Sequence, residues 1–297
     1  MARLRDVPVV LKRTGPLRLA KCVIRQIQDD DIMTWGAAMA YSWLFAIFPF
    51  LVFLLSLVPL LPDQFKPDVK RLDTLLADTM PDSIRQIVMT QVEHIVENPS
   101  PGGFLSFGLI LTVWASSGGM AMTMSALDKA YDVEKVRPYY TRRLLAILLT
   151  AVAATLIIAV LILLPVGTQV LEWLNNHNFI PLGFYWLVNI TRYVLALLLM
   201  FTVLAMIYNV GTSAKQSFSA FSPGAVFSVT IWLALGALFR LYLTKLGGAA
   251  NYNKTYGTVA GAAILLLFFY LDALVMLIGA EINSEIDNAL CSKQATK

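Results

Sequence analysis

Charged side chains are absent from long, regularly spaced stretches of this chain. Five runs of 22 residues or more contain no Asp, Glu, Lys or Arg: Ile32–Pro62, Asn98–Leu127, Leu144–Leu171, Tyr193–Ala214 and Gln216–Phe239. A sixth run, Thr255–Ala280, is interrupted only by Asp272. A helix needs about 20 apolar residues to cross a hydrocarbon core of roughly 30 Å. The pattern predicts an all-α, polytopic transmembrane helical bundle of about six spans.

The predicted spans occupy most of the 297 residues and lie near 33–61, 104–127, 144–171, 183–210, 217–239 and 256–280. We therefore expect one membrane domain over residues 32–283, preceded by an amphipathic cytoplasmic segment over 1–31 and followed by a cytoplasmic tail over 284–297. Apolar residues recur at helical spacing in the outer loop 63–97, which indicates short amphipathic helices at the surface.

Residues 16–30 also have the spacing of an amphipathic helix. Apolar residues recur on one side and basic residues fill the other: Leu17, Ala20, Ile24 and Ile27 against Arg18, Lys21 and Arg25. Basic amphipathic helices bind the anionic surface of the inner leaflet. A plain lead-in helix ahead of the first span fits the same pattern, so both interpretations stay open.

Composition and charge agree with a membrane protein. Apolar residues make up 58% of the chain and charged residues 14%, whereas soluble domains carry about 25% charged residues. Fifteen Lys and Arg residues fall on one side of the predicted spans and seven on the other. By the positive-inside rule, both termini are predicted to be cytoplasmic. The net charge of +4 reflects this distribution, and we expect no nucleic-acid partner.

The sequence contains no spacing typical of a cofactor or metal site. Its two cysteines, Cys22 and Cys291, fall on the predicted cytoplasmic side, where thiols stay reduced. Two Cys and two His do not form a zinc spacing. The first apolar run begins at Ile32 and is too long for a signal peptide. We expect no cofactor, no metal, no disulfide and no cleavable leader.

Two charges fall inside predicted spans, Arg192 and Asp272. Such a charge costs about 2.5–3.5 kcal/mol to insert, so it is a functional candidate by default. Counted from the outer ends of their spans, the two depths differ by about 7 Å at 1.5 Å per residue. We expect them to face the bundle interior and to pair or to line a polar cavity. A structural ion pair, or an Arg192 that snorkels to the outer interface, are the alternatives.

Four further residues are candidates for a substrate cavity. Ser116 and Ser117 belong to a small, polar cluster that either lets helices approach closely or makes room for a substrate. Asn253 and Lys254 lie in the last outer loop, which is rich in Asn and Tyr. In contrast, the acidic and amide residues at the cytoplasmic end of the last span are expected to be solvated end groups: Glu281, Asn283 and Glu285.

Three blocks of this sequence resemble the YihY/virulence factor BrkB family of inner-membrane proteins, formerly labelled ribonuclease BN. They run in order over nearly the whole chain: Gly36–Ser42 with Phe48-Pro49-Phe50, Trp114–Gly118 with Ala126–Tyr131, and Tyr252–Gly257 with Leu277–Asn283. The resemblance implies an all-helical inner-membrane protein of about six spans. Members of the family have been linked to serum resistance, to the ribonuclease name and to envelope lipid or lipopolysaccharide transport, which supplies no catalytic residues to carry over.

Taken together, we expect a non-enzymatic protein that transports or flips a lipid-like amphiphile for the cell envelope, with membrane lipids as its partners. The alternative is a non-transporting scaffold that recruits envelope proteins through the N-terminal helix and the basic loop 128–143. The protein partners considered are envelope proteins and, in a homo-oligomer, further copies of the chain. Ribonuclease activity is not expected because phosphodiester hydrolysis needs an acid–base pair or a metal set. His94 and His177 both fall on the predicted outer side.

Overall fold

The structure, a computed structural model, describes residues 4–57, 89, 104–176, 182–214, 218–219, 221–245 and 259–291. The predicted outer loop 63–97 apart from Met89, the two histidines and the candidates Asn253 and Lys254 lie outside these residues. All secondary structure in the part of the chain that is described is helical. The predicted fold class, an α-helical bundle, is confirmed.

Two short helices precede six long ones. A 3-10 turn over Leu4–Asp6 leads into α1 (Val7–Thr14) and α2 (Pro16–Asp29). The long helices are α3 (Ile32–Leu57), α4 (Phe104–Ala130), α5 (Tyr139–Asn176), α6 (Leu182–Met206), α7 (Pro223–Lys245) and α8 (Val259–Cys291). A π-helical segment over Ile207–Gly211 extends α6.

The long helices have the length and polarity of membrane spans. Four contain windows that are long and apolar enough to cross a bilayer: Ile32–Phe50, Tyr139–Val160, Asn189–Gly211 and Ala262–Ala289. The other two, α4 with 27 residues and α7 with 23, exceed the minimum length of about 20. Large apolar side chains such as Phe45, Leu148 and Leu267 are exposed on the bundle surface, which is the arrangement expected where lipid is the solvent. The protein is a multi-pass membrane protein.

The six long helices form a closed ring in chain order. Each packs on the next, and α8 returns to pack on α3. Across the ring, α4 also contacts α8 and the π-helical segment. We call the end of the bundle where α2 meets α3 and α4 leads to α5 the basal end. Fully buried side chains form the core of the bundle toward its basal end: Met39, Leu127, Leu204, Tyr208, Met276 and Leu277.

Glycines set the closest approaches between these helices. A Cβ on Gly119 of α4 would meet Ala46 and Trp43 of α3 at 3.1 Å. A Cβ on Gly224 of α7 would fall on the backbone of Gly279 in α8, 2.6 Å from its carbonyl carbon. Small residues allow such backbone contact in lipid, where van der Waals packing is a main source of helix association.

Two predicted boundaries differ from the observed helices. The fifth long helix begins at Pro223 rather than near residue 217, because proline lacks an N–H and suits the first helical position. The last helix continues without a break past residue 283 to Cys291. It does so because Ile286 is buried against Val10 of α1, which extends the core beyond the predicted span.

The helix predicted over residues 16–30 is confirmed as α2, and it has two apolar faces. One face packs on α8, with Val23 buried and Leu19 in contact with the end of that helix. The other face points outward, with Leu17 80% exposed and Ile24 57% exposed. A helix that binds the bundle on one side and presents apolar and basic residues on the other fits the membrane-surface interpretation.

Candidate functional site

Arg192 and Asp272 each contact other neighbours. The Arg192 side chain is buried, donates from Nη2 to Asn189 Oδ1 at 3.0 Å and lies 4.9 Å from the centre of the Tyr193 ring. Asp272 is half-buried on α8, where its backbone oxygen accepts a hydrogen bond from Trp232 Nε1 at 3.1 Å. No ion pair between the two is present among the residues that the structure describes.

The helix register explains why this pair does not form. Tyr208 OH donates to the Met276 backbone oxygen at 2.6 Å, which places these two residues at the same level. Arg192 lies 16 residues before Tyr208, and Asp272 lies four residues before Met276. At 1.5 Å per residue, the difference in depth is about 18 Å rather than the 7 Å expected. The two helices do not start at the same depth, which counting from predicted span ends cannot reveal.

The hydroxyl groups of Ser116 and Ser117 are buried and bind their own helix. Ser116 Oγ donates to Val113 O at 3.1 Å, and Ser117 Oγ donates to Trp114 O at 2.8 Å. Both side chains are nearly or fully buried. Hydroxyls that back-bond to the preceding turn are satisfied without a ligand, so their role as substrate contacts stays a prediction.

The expectation that Glu281 and Asn283 are solvated end groups is wrong. Both side chains are 0% exposed. They are buried because α2 and the segment after α4 cover the basal end of α8. Sequence counting placed them at a membrane edge, but neither the helix in front nor the connection above could be seen from the chain alone.

Asn283 forms the centre of a hydrogen-bonded network. This network and the contact between Gly224 and Gly279 together make up what we call the α7–α8 junction. Its Oδ1 accepts from Gly224 N at 2.8 Å, and its Nδ2 donates to Ser222 Oγ at 3.1 Å and Tyr131 OH at 3.2 Å. The amide thus satisfies an orphan N–H at the start of α7. Burial raises the pKa of the Tyr131 phenol well above its usual range, so Tyr131 stays neutral here.

The π-helical segment is attached to the same end by two further sets of bonds. Tyr208 OH lies 2.9 Å from Ser228 Oγ as well as donating to α8. Buried Asp128 of α4 accepts from Thr212 Oγ1 at 3.2 Å and Ser213 Oγ at 2.9 Å. Local π-helical geometry is frequent at functional positions, and here it turns Tyr208 toward α7 and α8.

On the other side of α8 lies a second group, which we call the α2–α8 junction: Gln26, Asp30, Lys129, Asp132 and Glu281. Asp30, only 3% exposed, accepts from Lys129 Nζ at 2.6 Å and from Gln26 Nε2 at 2.7 Å. The hydrogen bond to Asp30 raises the pKa of Lys129. The Glu281 carboxyl lies beside Asp30, yet neither of its oxygens accepts a hydrogen bond from a described residue.

Turn geometry brings these acidic groups together. Asp31 and Asp132 have φ of 51° and 49°, a left-handed conformation that Asp tolerates better than most residues. Asp31 redirects the chain between α2 and α3, and Asp132 does so after α4. Gln26 bridges the two turns by donating to Asp132 Oδ2 at 3.3 Å as well as to Asp30.

A third feature is an open pocket of about 240 Å³ between α3, α4 and α5, which we call the arginine pocket. Its lining combines two arginines with hydroxyls and small or flexible apolar residues: Ser42, Gly118, Ala121, Met122, Ser125, Tyr139, Arg142 and Arg143. Arg142 Nη1 donates to Ser125 Oγ at 3.0 Å. The Arg143 guanidinium lies 4.2 Å from the centre of the Trp114 ring and donates to the Trp114 backbone oxygen.

The charge of this pocket is not balanced within the part of the chain that is described. Neither arginine forms an ion pair with a carboxylate there. Arg143 Nε is buried and has no acceptor among those residues. A Cβ placed on Gly118 would meet nothing within 4 Å, so the space in front of the two guanidinium groups is open.

Comparison with known proteins decides the family. The profile of the family described as Virulence factor BrkB matches residues 23–297. The chain belongs to this family. The described parts of its three resemblance blocks lie on α3, on α4 and the turn after it, and on α8, and these three helices pack on one another. Tyr252–Gly257 lies outside the described residues.

Relatives of this BrkB-family chain carry two kinds of name. A ribonuclease-like protein of Bacillus subtilis (strain 168), YfkH, is 33% identical over 250 residues, covering 84% of this chain and 88% of the relative. A UPF0761 membrane protein of Stenotrophomonas maltophilia (strain R551-3) is 22% identical over 297 residues, covering 96% of this chain and 63% of its own length. No solved structure matches this chain.

The sequence did not single out the charged residues that meet at the basal end of this BrkB-family protein, and a functional role for Arg192 and Asp272 stays a prediction. It singled out Arg192 and Asp272 because they interrupt apolar runs. The groups that come together at the basal end sit instead just beyond those runs: Asp30, Lys129, Arg142, Arg143 and Glu281. A usable signal was present, since Asp128–Tyr131 and Glu281–Asn283 belong to the blocks that carry the family resemblance.

Proposed function

We propose that this protein moves a lipid-like amphiphile with an anionic, phosphate-bearing head group through a bacterial inner membrane, with its basal end in the cytoplasm. The arginine pocket carries the proposal. Arginine presents a fixed fork of donors that matches phosphate oxygens. Arg143 Nε is a buried donor without an acceptor among the described residues, and an unsatisfied buried donor is costly unless a ligand completes it.

The surroundings of the pocket suit a ligand that arrives from the bilayer. Its rim carries exposed aromatic side chains: Trp114 at 47%, Tyr139 at 58% and Tyr140 at 84%. Aromatic rings of this kind collect at the level of lipid head groups. The pocket lies at the first turn of α5, at the edge of a predicted span, so a head group can enter while its acyl chains stay in the membrane.

The lining also argues against the ribonuclease part of the YfkH name for this chain. Hydrolysis of a phosphodiester needs a general acid and base or a metal set. Among the described residues, the lining of the arginine pocket consists of hydroxyls, apolar residues and two guanidinium groups, with no carboxylate or histidine. Those residues can hold a phosphate but offer no acid–base pair for cleavage of its ester.

The proposal is tested first by native mass spectrometry of protein extracted gently from its own membrane, with identification of retained lipids. Charge-assisted hydrogen bonds contribute about 1.5–3 kcal/mol, so Arg142→Gln with Arg143→Gln should lower retention of phosphate-bearing lipid at least about tenfold. Arg25→Gln is the matched control, because Arg25 is an exposed residue that pairs with Asp29 on its own helix. Gly118→Phe should also empty the pocket, whereas Gly118→Ala should not.

Movement is then measured with a labelled phospholipid in vesicles that contain the purified protein. Faster exchange between leaflets with wild type and Gly118→Ala, but not with Gly118→Phe, is the expected result. Specific lipid binding without faster exchange would favour the scaffold alternative. Equal lipid retention by all variants would remove the pocket as a head-group site and the proposal with it.

A further inference from the structure

Glu281 is a carboxyl group buried without a hydrogen-bond donor. Its side chain is 0% exposed, and neither carboxylate oxygen accepts a bond from any described residue. An isolated ionised carboxylate in such a place loses its hydration without compensation and becomes neutral instead. The geometry alone therefore marks Glu281 as different from the bonded polar groups around it.

The charges that face Glu281 are mostly negative. They are Asp30 at the C-cap of α2, Asp132 after α4 and Glu285 on α8 itself, with Lys129 as the cation and Tyr131 as a neutral neighbour. Helix α3 contains no charged residue, and the charges of α7, Arg240 and Lys245, lie at its far end. Helix α1 packs further along, at Ile286, and its Lys12 is exposed. One cation among four carboxyl groups favours retention of a proton.

The hydrogen bonds decide which carboxyl keeps it. Asp30 receives bonds from Lys129 and Gln26, one on each oxygen. Those donors stabilise its ionised form, while Glu281 has no donor of its own among the described residues. A proton on Glu281 lets its O–H donate to Asp30, which satisfies both carboxyl groups and joins α8 to α2.

We propose that Glu281 is a proton-binding site, protonated while α2 is docked on α8, and that loss of this proton releases α2. After deprotonation, two adjacent buried carboxylates repel each other across the α2–α8 contact. Helix α2 lies outside the ring of six long helices and packs mainly on α8, so it can move away without opening that ring. The proposal concerns the proton and α2 and is independent of what the protein transports.

The first test is direct detection of the proton by infrared spectroscopy of the full-length protein in lipid nanodiscs. Wild type should show the carbonyl band of a buried, protonated carboxyl group at neutral pH. Glu281→Gln should remove this band, whereas Glu285→Gln should keep it. If the band is missing in wild type, or survives in Glu281→Gln, the proposal is overturned.

The second test follows α2 itself. Cys22 lies on α2 and is free, so a nitroxide spin label there reports docking in a Cys291→Ser background. In wild type, label mobility should increase as pH rises through the titration of Glu281. Glu281→Gln, an isosteric copy of the protonated state, should stay docked at all pH values, and Glu285→Gln should titrate like wild type. The same pH response in Glu281→Gln would refute the proposal.

A third variant keeps the test open if Glu281→Gln does not fold. Asp30→Asn removes the carboxylate that ionised Glu281 would repel and offers an amide donor in its place. Helix α2 should therefore stay docked, and the Cys22 label should stay immobile over the pH range in which it mobilises in wild type. A mobility change at the wild-type midpoint would show that repulsion between Glu281 and Asp30 does not release α2.

Discussion

The two junctions on α8 differ in how completely their buried polar groups are hydrogen-bonded, although their α8 residues alternate along the same two turns. Gly279 and Asn283 are four residues apart and face α7, whereas Glu281 lies midway between them and faces α2, because 3.6 residues make one turn. At the α7–α8 junction, the Asn283 amide bonds three partners. At the α2–α8 junction, the buried Glu281 carboxyl has no hydrogen-bond donor among the described residues.

This difference separates a structural contact from a responsive one. A fully bonded buried network rigidifies its elements, and any change within it is costly. A partly satisfied group stores an imbalance that a proton or ligand can correct. We therefore interpret the α7–α8 junction as a rigid contact and the α2–α8 junction as the contact that can open.

Among variants that test this difference, Gly224→Ala should cause the largest loss of stability. The added methyl group would fall on the Gly279 backbone, which cannot rotate away. Separation of α7 from α8 would also break the Asn283 bonds, so we expect a loss of more than about 3 kcal/mol and poorly folded protein. Thermal unfolding and size-exclusion profiles in detergent would measure this.

Gly118→Ala is the control for that change, since its methyl group would enter open space. It should leave stability unchanged or raise it by about 0.5–1 kcal/mol through helix propensity. If Gly224→Ala is as stable as Gly118→Ala, the packing of α7 on α8 does not depend on the contact between Gly224 and Gly279.

Asn283→Ala should have an intermediate effect. It leaves the Gly224 N–H without its acceptor and removes the bonds to Ser222 and Tyr131. Each buried group left unsatisfied costs about 1–3 kcal/mol, so a fall of about 2 kcal/mol is expected in thermal unfolding. Thr202→Val, which removes an exposed hydroxyl that donates to Leu198 O on its own helix, should change little. If Asn283→Ala lowers the free energy of unfolding as little as Thr202→Val does, water replaces the hydrogen bonds of the Asn283 amide at no cost.

Lys129→Met should have the smallest effect on global stability. Its side chain is 43% exposed, so solvent screens the ion pair with Asp30, and we expect a loss of about 1 kcal/mol or less. Without this cation, the proposed proton on Glu281 should be bound more tightly. The spin label at Cys22 should therefore become mobile at a higher pH than in wild type. Lys21→Met, an exposed cation on the outer side of α2, should not shift that response.

The polar groups near the middle of the membrane and those at its basal edge were not equally visible to sequence reasoning. Arg192 stood out because it interrupts an apolar region, yet it binds Asn189 and Tyr193 beside it on α6. Arg142, Arg143 and Glu281 looked like ordinary end charges. Which of them are covered depends on neighbouring helices that come from distant parts of the chain.

The sequence by itself determined the class of this protein. Uninterrupted apolar runs can satisfy their backbone in lipid only as helices, so the helical spans, the amphipathic α2 and the family followed from pattern and motif. The tertiary structure decided the register between helices and the burial of their ends. Depth offsets between α6 and α8, the glycine contact of Gly224 with Gly279 and the cover of α2 over Glu281 all depend on long-range packing, which the local pattern of a single chain does not encode.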